Sequence, residues 1–167
     1  RHTRSLCDWS SDVCSSDLEQ IRTLLTDLQR VGVQIALAVP LKPGAAAEWD
    51  PTARTIRIEP SAVGKGTVDF LRLLTHESIH VAQSCKTGKL WSNPGLLGLE
   101  TQMPIELERS VSNAVATNTS GWEVRLEREA YANQHRGDLG PLLIRRYCTP
   151  LRDRKSTRLN SSHTVIS

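Results

Sequence analysis

Along the chain the spacing of apolar positions changes several times, and each change marks an element. Between Glu19 and Arg30, Ile21, Leu24, Leu25 and Leu28 recur at helical spacing and Gly32 follows as a stop, which predicts an amphipathic helix. Val33–Val39 is a short apolar run before Pro40 and reads as a buried strand, followed by a loop over Pro40–Ala47. After a turn at Asp50-Pro51, Thr55, Ile56, Arg57, Ile58 and Glu59 alternate, predicting a hairpin or bent strand that ends at Pro60. Thr67 is placed to cap a helix running to about Ser84, with Asp69 in its first turn, where negative charge suits the helix dipole. Gly88, Asn93-Pro94-Gly95 and Gly98 then break the pattern into a long loop from Lys86 to Met103, and such loops tend to line functional sites. Pro104 opens a helix to about Ala116. Ser120 and Glu123 form a capping box for another helix, reaching Arg136 with Gly137 as its stop, and Gly140–Cys148 adds a last short one. The expected architecture is α+β: a small sheet from Val33 to Glu59 packed on the helix that starts at Thr67, with the other helices closing the far side.

Neither period reaches the ends. Residues 1–18 and 152–167 are rich in Ser, Asp and Arg, a composition that predicts disorder. Asp8–Leu18 and Asp153–His163 also read as translations of the two strands of a short-read sequencing adapter, so both ends are expected to be non-native tails. The natural portion is then Glu19 to Leu151, cut at both ends, and its about 130 residues suffice for one domain with one core.

Removing the ends changes the charge. Six of the 21 Lys and Arg residues (Arg1, Arg4, Arg152, Arg154, Lys155, Arg158) and four of the 18 Asp and Glu residues (Asp8, Asp12, Asp17, Asp153) lie there, leaving 15 basic against 14 acidic. A balance that near to zero, with no basic cluster longer than Arg145-Arg146, argues against nucleic acid and against an anionic membrane surface. No apolar run approaches the roughly 20 residues of a membrane span. Of four cysteines only Cys85 and Cys148 lie outside the ends, and the sequence leaves open whether they pair.

One segment carries chemistry. Leu73–Cys85, LLTHESIHVAQSC, sets His76, Glu77 and His80 inside an otherwise uncharged helical run. Histidines four apart share a helix face with Cβ atoms about 5–6 Å apart. Two nitrogens on a tetrahedral zinc must lie roughly 3.4 Å from each other, which both rings reach by leaning inward. Glu77, rotated about 100° from His76, falls beside such a metal, where a carboxylate can serve as general base. Burying three polar groups on one stripe without partners would be costly, which favours a ligand set over satisfied core histidines.

The segment is an instance of HExxH and resembles the active helix of zincin metallopeptidases of the gluzincin type, in a small, minigluzincin-like form. The strand Arg54–Ile58 before it resembles the family's substrate-binding edge strand. The resemblance implies Zn2+ as cofactor and a third ligand from a Glu-x-x-Ala-Asp pattern on a later helix. Glu127-Arg128-Glu129-Ala130-Tyr131 matches that pattern with Tyr131 where Asp is usual, and the usual Asp steadies a zinc ligand from behind. Glu127 borders the apolar stripe of Trp122, Leu126 and Ala130, whereas Glu129 has a solvent-type neighbourhood of Arg125, Ala132 and Asn133; Glu127 is therefore the expected ligand and Glu129 the alternative. The family often stabilises an oxyanion with His or Tyr, for which Tyr131, His135 and Tyr147 are the candidates.

These readings imply a peptide-bond hydrolase acting on peptide or protein substrates, with Glu77 as base. A non-catalytic, zinc-stabilised binding or regulatory domain of the same fold is the alternative, and a metal-free helical domain with a fortuitous motif is a third possibility. Localisation and oligomeric state are not readable.

Overall fold

A computed structural model describes residues 10–115 and 121–150. The architecture is mixed α+β, six helices with one three-stranded sheet among the described residues.

Helix α1 spans Ser10–Arg30 and turns Ile21, Leu24 and Leu28 into the core. It begins nine residues before the expected Glu19, inside the stretch whose composition predicted disorder. Residues 10–30 contain neither Gly nor Pro, so a helix anchored by the packed positions 21–28 can propagate back through polar residues.

Strands β1 (Gln34–Leu37), β2 (Ala47–Asp50) and β3 (Thr55–Ile58) lie in the order β1-β3-β2. β3 runs parallel to β1, with Gln34 opposite Thr55, and antiparallel to β2, with Trp49 opposite Ile56. The hairpin turn is closed by the Asp50 carboxylate, whose Oδ1 accepts from the Ala53 N–H at 2.9 Å while Oδ2 holds Arg57 at 2.6 Å. The strand read as the sheet edge, Arg54–Ile58, is central and buried, paired on both sides, and the edge beside the HExxH helix is β2. The apolar run read as a buried strand, β1, is the opposite edge, with Leu37 and Val39 exposed. An apolar run does not reveal strand order, which depends on partners elsewhere in the chain.

After the single turn α2 (Pro60–Val63), helix α3 spans Thr67–Lys86. Its N-cap is Gly66, at φ 109°, so Thr67 is already the first helical residue and not the cap. Helices α4 (Ile105–Val115), α5 (Gly121–Asn133) and α6 (Leu139–Tyr147) complete the chain. Ser120, the expected cap of α5, lies outside the described residues, and α5 ends at Asn133, short of Arg136.

α3 is the hub, packed by α1, α5, α6 and β2, and from Leu74 to Cys85 every residue but His80 is buried. Close approach needs glycine: a Cβ on Gly140 of α6 would stand 2.8 Å from Ser78 Oγ and 2.9 Å from a Leu24 methyl. A disulfide joins Cys85 at the end of α3 to Cys148 at the end of α6, 63 positions apart, which settles the pairing. Over Leu74–Cys85, where α3 is surrounded, polar side chains face the protein interior and not solvent.

Candidate metal centre

Three atoms converge between α3 and α5. His76 Nε2 lies 3.2 Å from His80 Nε2, and Glu127 Oε2 lies 3.5 Å from the first and 3.6 Å from the second. The triangle is near equilateral, with sides close to the roughly 3.4 Å edge of a tetrahedron around zinc. The two contacts to the carboxylate oxygen are too long for good hydrogen bonds. Among the described residues this is the one group of His, Cys, Asp or Glu side chains arranged to hold a metal ion, and its donor set suits a small divalent cation. His76 is 8% exposed and Glu127 19%.

Each donor is aimed by a different device. His80 Nδ1 lies 2.8 Å from Gln83 Oε1, and the Gln83 amide is in turn fixed because its Nε2 donates to Leu126 O at 3.1 Å and to Glu129 Oε2 at 3.0 Å. The Gln83 oxygen therefore accepts from His80 Nδ1–H, so that in the neutral ring Nε2 carries the lone pair and turns it towards the triangle. His76 packs edge-on against Tyr131, centroids 4.6 Å apart, and its buried Nδ1 has no hydrogen-bond partner. Tyr131 thus holds this ring by packing. Support through a hydrogen bond falls to His80 alone of the two rings.

Glu129 is the residue that sequence reasoning placed wrongly. It is 1% exposed, not solvent-facing. Its Oε2 accepts from Gln83 and from Leu97 N at 2.9 Å, and its Oε1 accepts from Gly98 N at 2.6 Å and Leu99 N at 3.0 Å. A fully satisfied buried carboxylate of this kind clamps the 97–99 loop to α5. All four donors come from 30 or more positions earlier, so no neighbour in sequence announces them.

Glu77 is 4% exposed and sits within electrostatic reach of both imidazoles and Glu127. Burial pushes its carboxyl above the ordinary range, against the pull of His76 and His80, while the Trp49 backbone N–H on the β2 edge also favours the charged form. A buried carboxylate with raised proton affinity is what a general base needs. The Trp49 indole N–H reaches Ser84 Oγ at 3.2 Å, which ties β2 to α3.

Of the other candidates, His135 is exposed just beyond the end of α5. The ring of Tyr147 on α6 lies under the cations of Lys86 and Arg146, 6.0 and 5.4 Å from its centroid. Tyr131 alone touches a member of the triangle.

Charge at the centre sets a pH dependence. Burial alone would depress the His80 imidazole, but the Glu127 carboxylate outweighs it, with help from Glu77 and Gln83, and pushes it up to about 9. For Glu127, burial alone would raise the carboxyl, but His80 and His76 outweigh it and hold the group well below the usual range. In the metal-free protein His80 is thus protonated below about pH 9. A metal must displace that proton, so apparent zinc affinity should rise by up to about tenfold per pH unit from neutrality and flatten near pH 9. Competition with a chromophoric chelator at several pH values measures this, and an affinity flat over the range would contradict a protonated His80.

Compared with known proteins, the chain matches no protein family, no curated protein sequence and no solved structure.

Proposed function

We propose that the chain is a zinc-dependent peptidase that hydrolyses peptide bonds in peptide or protein substrates. The observation that carries this reading is the triangle of His76 Nε2, His80 Nε2 and Glu127 Oε2 with a buried carboxylate, Glu77, beside it. Zinc held there would supply a Lewis acid, drawing electron density from a peptide carbonyl and making water a nucleophile near neutral pH.

The chain's own residues do the rest. His80, in the tautomer fixed by Gln83, and His76, packed on Tyr131, present neutral nitrogens, and Glu127 adds one negative oxygen. Glu77 takes the proton of the attacking water and passes it to the leaving amine. The β2 edge, unpaired on the side of α3, offers main-chain donors and acceptors to an extended peptide.

The structural-zinc alternative fits less well. Such sites close with four protein ligands, and only three side chains converge among the described residues. Nor does a structural site need a carboxylate of raised proton affinity at its edge.

The test is hydrolysis of a fluorescently labelled, denatured protein. Activity should vanish in 1,10-phenanthroline and return with one equivalent of zinc. Protein fully loaded with zinc that leaves such a substrate uncut overturns the reading.

A further inference from the structure

The Lys42 ammonium nitrogen lies 3.7 Å from Glu127 Oε1. The Glu127 carboxylate is therefore divided: Oε2 faces the two imidazoles and Oε1 faces a cation. Among the described residues Lys42 is the one Lys or Arg in ion-pair contact with the triangle. Its side chain is 46% exposed, against 19% for Glu127, so it stands towards solvent, where a substrate would arrive.

The position is built. Glu48 on β2 turns its Oε2 back to accept from Leu41 N at 2.5 Å and Lys42 N at 3.3 Å, fixing the backbone of the β1–β2 loop at this residue. Ala45 N donates to Lys42 O at 3.2 Å, and Gly44 at φ 78° lets the loop double back. A surface lysine paired by chance has no need of such support.

We propose that Lys42 is a catalytic residue of this centre, the cation that binds the oxygen on which negative charge develops during hydrolysis. This rests on the peptidase reading. As the water oxygen bonds to the carbonyl carbon, the carbon–oxygen π pair moves onto the carbonyl oxygen, and Glu77 holds the proton that the water loses. The Lys42 ammonium leaves Glu127 Oε1 and donates a hydrogen bond to that oxygen, keeping all three of its protons. Its flexible four-carbon stem allows the short swing. The role is the one for which Tyr131, His135 and Tyr147 were the candidates; Tyr131 packs on His76, His135 is exposed beyond the end of α5, and Tyr147 lies under Lys86 and Arg146.

The test replaces zinc by cobalt(II), whose visible spectrum reports ligands at the metal, and titrates phenylphosphonate, a tetrahedral anion, into the wild-type protein, Lys42→Met and Lys42→Arg. All three should take up cobalt equally. Phenylphosphonate should bind Lys42→Met at least about tenfold more weakly than wild type, the loss of one charge-assisted hydrogen bond, and Lys42→Arg should recover most of it. Equal or tighter binding by Lys42→Met, or no phosphonate bound by the wild-type cobalt protein, overturns the proposal. Loss of cobalt from Lys42→Met also overturns it, since Lys42 would then serve only to place Glu127. Wild-type protein that takes up no cobalt fails earlier, and sinks the metal reading itself.

Discussion

His76→Ala should empty the centre of metal. With structural zinc sites of four ligands holding their ion by about 10–16 kcal/mol, one ligand accounts for about 3–4 kcal/mol, or a loss of roughly 10²–10³-fold in affinity. After dialysis against a weak chelator, wild-type protein should retain about one zinc by atomic emission and the variant almost none. His76 is the most telling of the three donors to remove. It is the most buried, and its far nitrogen makes no hydrogen bond, so the substitution breaks no hydrogen-bond network besides the triangle. Some loss of stability is expected from the space left against Tyr131. Circular dichroism separates that from metal loss, since a folded variant without zinc is the predicted state. A folded variant with its full complement of zinc would show that the two imidazoles and the carboxylate do not hold the ion.

Glu77→Gln should do the opposite, keeping zinc and losing turnover. Glutamine has nearly the same shape, and its amide oxygen can still accept from the Trp49 N–H, so the buried site stays filled. What disappears is the ability to take a proton, and removal of a general base costs about 10²–10⁴-fold in kcat. The pH profile should change with it. Wild-type activity should fall on the acid side as the Glu77 carboxylate protonates, since only its charged form can take the proton of the water. The residual activity of the variant should lack that limb. A variant with one zinc and undiminished activity would remove Glu77 from the reaction.

Much of this was legible in the sequence because it is local. HExxH spacing places two imidazoles one turn apart whatever surrounds the helix, and the β2–β3 turn is written in Asp50-Pro51. Glu127 was picked out for a weaker reason, the resemblance of Glu127–Tyr131 to a Glu-x-x-Ala-Asp pattern, supported by its place at the border of an apolar stripe on α5. What escaped depends on residues far apart in the chain. Glu129 is flanked by residues that read as surface, yet four donors from Gln83 and the 97–99 loop enclose it. Lys42 sits in a loop with no pattern of its own, and only the strand order brings that loop over α5. The sheet edge was misassigned for the same reason, because alternation along Thr55–Glu59 shows which residues face inward and says nothing of which neighbours flank the strand.

The Cys85–Cys148 bridge has a bearing on how any of these measurements is made. Its first sulfur is five residues beyond His80 on the same helix, and its second ends the helix that packs α3 from behind. Dithiothreitol in a buffer would act on the protein twice, scavenging divalent cations with its own thiols and severing the staple that braces the histidine-bearing helix. Inactivity seen under such conditions would be uninterpretable, whereas a phosphine reductant of low metal affinity, used alongside a metal buffer, keeps the two injuries apart.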